Sequence, residues 1–342
     1  MLVQSDHRPP PDRRPLKRVP ALVLWGAVAA LVLTALGGWL VSSQTARDGD
    51  EKLTASSKVT GSLSLPWPAG GQASVVDTGS GRSGTSGEQK AVPIASVTKV
   101  MTAYVILMNH PLQEGESGPL ITVDQKAQDE SGSRDESTVY VAAGQEFTQR
   151  QLLEMLLLPS GNNIARLLAR WDAGSEQAFA AKMNRAAADL RMTRTNYTGA
   201  SGFEPTNKST SNDQLRLARA VMRDPVFRTI VASREVTIGG TTGTIANTNK
   251  LLGTEGIIGI KTGSSTPAGG ALMWAAETGR EAGSGLILGV VLHQRPNTTP
   301  AQGLQAAFDT TERLAATARR EAGAAVQGDR RQASLALHGD TR

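Results

Sequence analysis

The chain has 342 residues, of which 39% are hydrophobic and 20% charged, a composition typical of a globular protein. It contains no cysteine, which excludes disulfide bonds, thiolate metal ligands and a cysteine nucleophile. The formal net charge of +5 belongs to the two ends, because residues 1–20 contribute +3 and residues 319–342 contribute +2. The intervening part is neutral, so we expect no nucleic acid among the partners of this protein.

The first predicted element is an apolar segment close to the N-terminus. Residues 21–41 carry no charge, and this length matches a hydrocarbon core of about 30 Å. The basic residues 1–20 before it predict a cytoplasmic tail by the positive-inside rule. We therefore expect a single-pass anchor in the cell membrane with the rest of the chain outside the cytoplasm. A cleaved signal segment is the alternative, since Ser42 and Ser43 are small.

The rest of the chain divides into three predicted parts. Residues 42–66 are polar and rich in serine and threonine, which is typical of a linker. Residues 67–322 contain the periodic hydrophobic patterns of a folded domain, and residues 323–342 read as a loose polar tail. A strand is predicted at 73–77, followed by a Gly/Ser-rich turn at 79–90.

A block of helices is predicted next. Thr148 and Gln151 have the spacing of a capping box, which opens a helix that Pro159 ends. The other expected helices lie at 97–109, 163–171, 176–191 and 212–223.

The pattern then changes to strands, with one more helix at the end. The expected strands lie at 235–238, 243–247, 257–262, 271–276 and 285–292, and the last helix at 301–322. This order predicts an α+β protein, with an antiparallel sheet flanked by helices and a mainly helical lobe, preceded by a transmembrane helix.

The first candidate site is the segment Ser96-Val97-Thr98-Lys99 at the start of the predicted helix 97–109. Residues three apart on a helix lie on one face, so the Ser96 hydroxyl can meet the Lys99 amine. A serine hydroxyl needs a base before it can attack a carbonyl, and a neutral lysine can serve as that base. Taken alone, the same pattern also fits an N-cap serine beside a solvated lysine.

Two further motifs each occur once, and ordinary turn and cap chemistry or a surface lysine before a turn explains each of them when it is taken alone. Ser160-Gly161-Asn162 follows Pro159 and predicts a tight loop between two helices, carrying a hydroxyl and an amide. Lys261-Thr262-Gly263 ends a predicted strand and leads into Ser264. A cation and a hydroxyl on a strand can hold a carboxylate, and we expect Gly263 to let a ligand backbone approach closely.

The three motifs in this order resemble those of the penicillin-recognising serine enzymes, and their flanks resemble the D-alanyl-D-alanine carboxypeptidases, low-molecular-mass penicillin-binding proteins of peptidase family S11. The resemblance covers about residues 70–310 and implies a β-lactamase/transpeptidase-like fold. The segments that carry it are Pro93–Ala103, Leu156–Asn163, Gly199-Ala200-Ser201-Gly202-Phe203 and Gly259–Gly263.

The resemblance implies a mechanism without metal or organic cofactor. Ser96 would attack the peptide bond between two terminal D-alanines of a peptidoglycan stem peptide, and β-lactams would acylate it as covalent inhibitors. Lys99 would take the proton, which requires a neutral amine, and burial beside Lys261 would lower its pKa. The backbone N–H groups of Ser96 and Ser264 would form the oxyanion hole.

The remaining roles that the resemblance implies concern the substrate. Ser160 would relay a proton to the leaving amine, and Asn162 would hold a substrate amide. Lys261 and Thr262 would bind the terminal carboxylate, with the substrate lying beside this strand. Family members often add an arginine after the last strand, and the nearest candidate is Arg295, closer in sequence to Lys261 than expected.

Three alternatives to this function remain open. A class A β-lactamase would need an E-x-x-L-N segment before Lys261, and the chain has none. A Ser-His-Asp hydrolase could use only His110 or His293, because the other histidines lie near the termini. A non-catalytic sensor of β-lactams or peptidoglycan could keep the same fold and residues without turning over.

Overall fold

We describe the protein from a computed structural model that covers residues 62–241, 243–279 and 285–339, with side chains up to residue 324 in the last helix. The predicted tail 1–20, anchor 21–41 and most of the linker 42–66 lie outside the described residues. Within the described ranges, no helix combines the length and the apolar character that crossing a membrane requires.

The described chain folds around a five-stranded antiparallel sheet of order β2-β1-β11-β10-β9. Three further strand pairs, β3 with β6, β4 with β5 and β7 with β8, lie outside this sheet. In chain order, the strands are β1 (Gln72–Asp77), β2 (Ser83–Ser86), β3 (Val92–Pro93), β4 (Leu120–Thr122), β5 (Glu146–Thr148), β6 (Lys208–Ser209), β7 (Glu235–Thr237), β8 (Thr244–Ala246), β9 (Ile257–Ser265), β10 (Gly269–Glu277) and β11 (Leu286–Gln294).

Seven helices lie between β3 and β7, and an eighth follows β11. They are α1 (Thr98–Asn109), α2 (Gln125–Glu130), α3 (Gln149–Leu157), α4 (Asn162–Ala173), α5 (Glu176–Asp189), α6 (Ser211–Val221), α7 (Pro225–Ala232) and α8 (Pro300–Gly339). Short 3-10 turns at Ala95–Val97 and Thr254–Gly256 precede α1 and β9.

Both faces of the central sheet are covered, so β1, β10 and β11 are buried along nearly their whole length. Met273 and Val290 belong to the core that the sheet shares with the helical lobe. Leu272 and Trp274 belong to a second core that includes residues of α8. Gly289 pairs with Trp274, and a Cβ atom there would fall 2.2 Å from the indole ring. The glycine therefore makes room for the largest buried side chain of the sheet.

Helix starts in the lobe follow from local capping. The capping box of Thr148 and Gln151 forms as predicted and opens α3, which ends just before Pro159. Ser175, Thr210 and Asp224 accept hydrogen bonds from the first turns of α5, α6 and α7. These side chains satisfy N–H groups that have no partner inside a helix. Helices α3, α5 and α6 consequently begin within a few residues of their predicted positions, whereas α7 was not predicted.

Two expectations differ from the structure. The strands predicted at 235–238 and 243–247 form a separate hairpin, β7–β8, and do not join the five-stranded sheet. The last helix does not stop at residue 322, and its backbone is helical to Gly339. Polarity made residues 323–342 look loose, but alanine, arginine, glutamine and leucine in this stretch favour helix irrespective of burial.

Candidate active site

The Ser96 turn is packed between two backbone segments. Ala95 adopts a left-handed conformation at φ 47°, and α1 begins two residues after Ser96. A Cβ atom on Gly263 would lie 3.1 Å from the backbone nitrogen of Ser96, and one on Gly202 would lie 2.0 Å from the carbonyl oxygen of Ala95. Only glycine permits the approach at Gly202, whose φ is also 80°, and at Gly263 a Cβ atom would require the Ser96 turn to shift by a few tenths of an ångström. Gly263 thus lies close to the Ser96 turn, and the expected approach of a ligand backbone to it stays a prediction.

Lys99 lies on the first turn of α1 with its side chain fully buried. Its Nζ lies 3.0 Å from Ser96 Oγ and 2.7 Å from the carbonyl oxygen of Ser201, and it also contacts the Asn162 amide oxygen. A protonated amine donates in all three contacts. A neutral amine donates to the Ser201 and Asn162 oxygens and offers its lone pair to the Ser96 hydroxyl. The site therefore accommodates the neutral form of Lys99, which can act as a base.

Burial lowers the pKa of Lys99 well below its ordinary value, because the charged amine loses its hydration. The positive charges of Lys261 and Arg166 lower the pKa further, while Glu136 and Glu204 raise it. The predicted combination of burial and a neighbouring Lys261 is thus present. A lysine with such a pKa can give up its proton far below the pH at which an exposed lysine does.

Ser160 lies in the loop between α3 and α4 with only 4% of its surface exposed. Its φ is 71°, a left-handed conformation that is uncommon for a non-glycine residue. The loop is held by the N–H of Asn162, which donates to the carbonyl oxygen of Ser137 at 2.8 Å. Among the described residues, the Ser160 hydroxyl has no hydrogen-bond partner. A buried hydroxyl without a partner costs stability, and it is available to a bound substrate.

Asn162 contacts two other residues of the site through its side-chain amide. Its amide oxygen accepts from Lys99, and its amide nitrogen donates to Glu136 Oε2 at 2.6 Å. The Arg166 guanidinium donates to both oxygens of Glu136, at 2.9 and 2.8 Å. The Asn162 side chain therefore holds Lys99, and the contact with a substrate amide that the resemblance implies stays a prediction.

Glu136, Arg166 and Ser201 were not identified as site residues from the sequence. Ser201 contributes through its backbone, so its side-chain type carries no signal, although its segment is among those that carry the family resemblance. Glu136 lies in a polar loop without periodicity. Arg166 follows Asn162 by four residues on α4, and this spacing places both on one helix face.

The third motif lies on β9, an edge strand of the central sheet. Lys261 is only 1% exposed, and its Nζ lies 3.4 Å from the Thr262 hydroxyl. Burial lowers the pKa of Lys261 to about 7. The Thr262 hydroxyl also lies 2.7 Å from that of Thr248. Ser264 follows on the same strand and pairs with Gly270 of β10.

Arg295, the arginine expected to assist carboxylate binding, lies after the last strand of the sheet. It is exposed, one residue beyond β11, with a left-handed φ of 48°. The neighbouring Asn297 N–H donates to the carbonyl oxygen of Thr266 in the turn between β9 and β10. Arg295 therefore lies at the end of the sheet where Ser264 lies. Its side chain forms no hydrogen bond or ion pair with the described residues.

His110 does not form a triad with Ser96. His110 is the C-cap of α1, eleven residues after Lys99, and this distance along a helix is about 16 Å. The His110 ring contacts Asp172 at 3.0 Å and packs against Trp171. The geometry thus disfavours a Ser-His-Asp hydrolase that uses this histidine.

Comparison with known proteins agrees with this geometry. A family model described as D-alanyl-D-alanine carboxypeptidase, Peptidase_S11, matches residues 64–294. The chain is 33% identical over 209 residues to the D-alanyl-D-alanine carboxypeptidase of Streptomyces sp. strain K15, covering 56% of this chain and 71% of that enzyme. It is 35% identical over 195 residues to DacB2 of Mycobacterium tuberculosis, covering 55% of this chain and 64% of that protein.

Solved structures show the same likeness in the fold. The crystal structure of the Streptomyces K15 DD-transpeptidase superposes with a TM-score of 0.61 at 27% identity, covering 74% of this chain and 97% of that one. The family match spans more than half of the chain and contains all three motifs. On these grounds the chain belongs to the D-alanyl-D-alanine carboxypeptidase family, the S11 serine peptidases.

Proposed function

We propose that this protein is a serine-type carboxypeptidase that removes the terminal D-alanine from peptidoglycan stem peptides ending in D-Ala-D-Ala. The observation that carries this proposal is the 3.0 Å contact between the Ser96 hydroxyl and a fully buried Lys99 amine. The lowered pKa of Lys99 supplies the neutral base that the hydroxyl needs. Family membership identifies the peptide class.

Acylation begins with attack of Ser96 Oγ on the carbonyl carbon between the two D-alanines. The Ser96 proton moves to Lys99 Nζ, and the backbone N–H groups of Ser96 and Ser264 stabilise the oxyanion. Ser160 passes its hydroxyl proton to the leaving nitrogen as the C–N bond breaks and takes back the proton from Lys99, which becomes neutral again; the unpartnered hydroxyl of Ser160 is suited to this relay. D-alanine departs, and water then hydrolyses the ester on Ser96.

The substrate carboxylate is held by Lys261 and Thr262 in this proposal. Both side chains are buried, so a charged ligand there meets little competing water. The free edge of β9 offers backbone groups to a peptide that lies alongside as an added strand. Arg295 is retained only as an additional carboxylate contact, because it is exposed at the same end of the sheet.

Replacing Lys261 by methionine should weaken substrate capture without unfolding the protein. Loss of a charge-assisted hydrogen bond should raise KM by about 30-fold or more. Since the pKa of Lys261 is lowered from 10.5 to about 7, the unfolded state binds more protons between these values. Stability of the wild type therefore rises with pH across this window, and below it the protein carries a penalty of about 5 kcal/mol.

Steady-state kinetics and thermal unfolding as a function of pH check both expectations for Lys261→Met. The variant should unfold at a temperature no lower than the wild type at neutral pH, and its stability should rise less between pH 7 and 10.5. A large drop in unfolding temperature with an unchanged KM would assign Lys261 a structural role instead.

We further propose that residues 21–41 anchor the enzyme in the cell membrane, with the catalytic domain on the extracytoplasmic side. The support is the uncharged 21-residue length and the basic residues 1–20 before it. β-Lactams would act as covalent inhibitors by acylating Ser96, as expected for a penicillin-binding fold.

A turnover assay distinguishes the carboxypeptidase from the two alternative functions, a non-catalytic sensor and a β-lactamase. Steady release of D-alanine from a peptide ending in D-Ala-D-Ala, far beyond one equivalent of enzyme, is the expected result. A single burst without further release would identify a sensor that is acylated and stays so. Sustained hydrolysis of penicillin with no release of D-alanine would identify a β-lactamase.

A further inference from the structure

A chain of polar contacts extends behind the Ser96–Lys99 pair. Asn162 connects Lys99 to Glu136, and Arg166 holds the Glu136 carboxylate with both of its terminal nitrogens. Arg166 also lies 3.4 Å from Glu130 Oε2. Arg166 is 8% exposed, so this cation is retained inside the protein by the carboxylates around it.

The contact with Glu136 decides which way the Asn162 amide points. An ionised carboxylate only accepts hydrogen bonds, so it selects the NH2 group of the amide. The amide oxygen must then face the opposite way, toward the Lys99 amine. Arg166 keeps Glu136 ionised, since its hydrogen bonds lower the pKa of that carboxyl against the effect of burial. Without Glu136 and Arg166, the Asn162 amide could rotate and turn its NH2 group toward the Lys99 amine. Two hydrogen-bond donors would then face each other.

The pair also places two opposite charges near Lys99. The charged groups that face Lys99 are Lys261 from β9, Arg166 from α4, and Glu136 and Glu204 from two loops. Glu136 stabilises a protonated Lys99, while Arg166 disfavours it. Glu136 and Arg166 therefore have opposite effects on the protonation of Lys99, although they form one ion pair.

We propose that Glu136 and Arg166 are positioning residues for the reaction: together they orient the Asn162 amide toward Lys99, and their opposed charges tune how tightly Lys99 holds its proton. This inference rests on the proposed function, in which Lys99 is the base for Ser96. The pair touches neither the proposed nucleophile nor the carboxylate-binding residues, so it acts through Asn162 and through its field.

The test compares Glu136→Gln with Arg166→Gln through the pH dependence of Ser96 acylation by a fluorescent penicillin. Removing the carboxylate should move the rising limb of the rate profile to lower pH, because Lys99 then loses its proton more easily. Removing the guanidinium should move it to higher pH. Each shift should amount to about one pH unit, as expected for one buried charge at short range.

Two further variants separate positioning from support of the fold. Glu130→Gln removes a carboxylate from the same arginine without touching Asn162, and it should leave the pH profile in place. Arg166→Lys keeps the charge but loses the two-pronged contact, so it should lower the acylation rate with little movement of the profile. If Glu136→Gln does not fold, the contrast between Arg166→Gln and Arg166→Lys gives the same information.

Opposite shifts for the two glutamine variants support the proposal. Profiles that stay in place, or that move in the same direction, would overturn it while leaving the carboxypeptidase assignment intact. A wild-type protein that penicillin does not acylate would overturn the proposed function and this inference with it.

Discussion

Replacing Ser96 by alanine should abolish covalent labelling by a fluorescent penicillin. The variant should also lose D-alanine release by about 10⁴-fold or more, because no other group can form the acyl-enzyme. Ser96 is the hydroxyl that Lys99 contacts, and its removal leaves the packing of the turn unchanged apart from one oxygen atom. Gel fluorescence and an assay for free D-alanine measure the two effects.

Ser211→Ala is a matched control for this prediction. Ser211 is another serine with a hydrogen-bonded hydroxyl, but it is fully buried and contacts Ser74 at 2.8 Å in a different part of the fold. This variant should label like the wild type. Undiminished labelling of Ser96→Ala would reject Ser96 as the nucleophile.

Replacing Lys99 by methionine should have the second largest effect. Methionine fills a similar volume but cannot accept a proton, so acylation should slow by about 10²- to 10⁴-fold, the range of a lost general base. In the wild type, the acylation rate should rise with pH through the lowered pKa of Lys99. That rise should vanish in the variant, and stopped-flow measurement of acylation at several pH values shows both effects.

The exposed Lys126, which pairs with Glu176 on the surface, supplies the control. Lys126→Met should acylate at the wild-type rate and with the wild-type pH profile. If Lys99→Met kept most of the wild-type rate, another group would have to be the base, and the role assigned to the Ser96–Lys99 contact would be wrong.

Much of the fold was predictable because its signals are local. The capping box of Thr148 and Gln151 lies within one helical turn. Each of the strands β9, β10 and β11 is a single stretch of sequence with a recognisable hydrophobic pattern. The Ser96–Lys99 contact was predictable for the same reason, since three residues of helical backbone bring the two side chains to one face. The prediction of a loose tail at the C-terminus was wrong because it relied on the polar composition, whereas the helix propensity of these residues extends the helix to Gly339.

The surroundings of the base were not predictable, because they depend on contacts between distant segments. Glu136 meets Asn162 across 26 residues, and Ser201 meets Lys99 across 102. Neither contact leaves a pattern in the local sequence. Gly263 shows the same limit: its type indicated a close approach by a ligand, which stays a prediction, and only the structure shows that the Ser96 turn also lies close to it.

The most direct test of the account is to locate the acyl group. After reaction with penicillin, trypsin should cut at Lys90 and Lys99 and release residues 91–99, in which Ser96 is the single serine. The account predicts one adduct per chain, on this peptide and at Ser96. An adduct on a different peptide, such as one that contains Ser160, would contradict it.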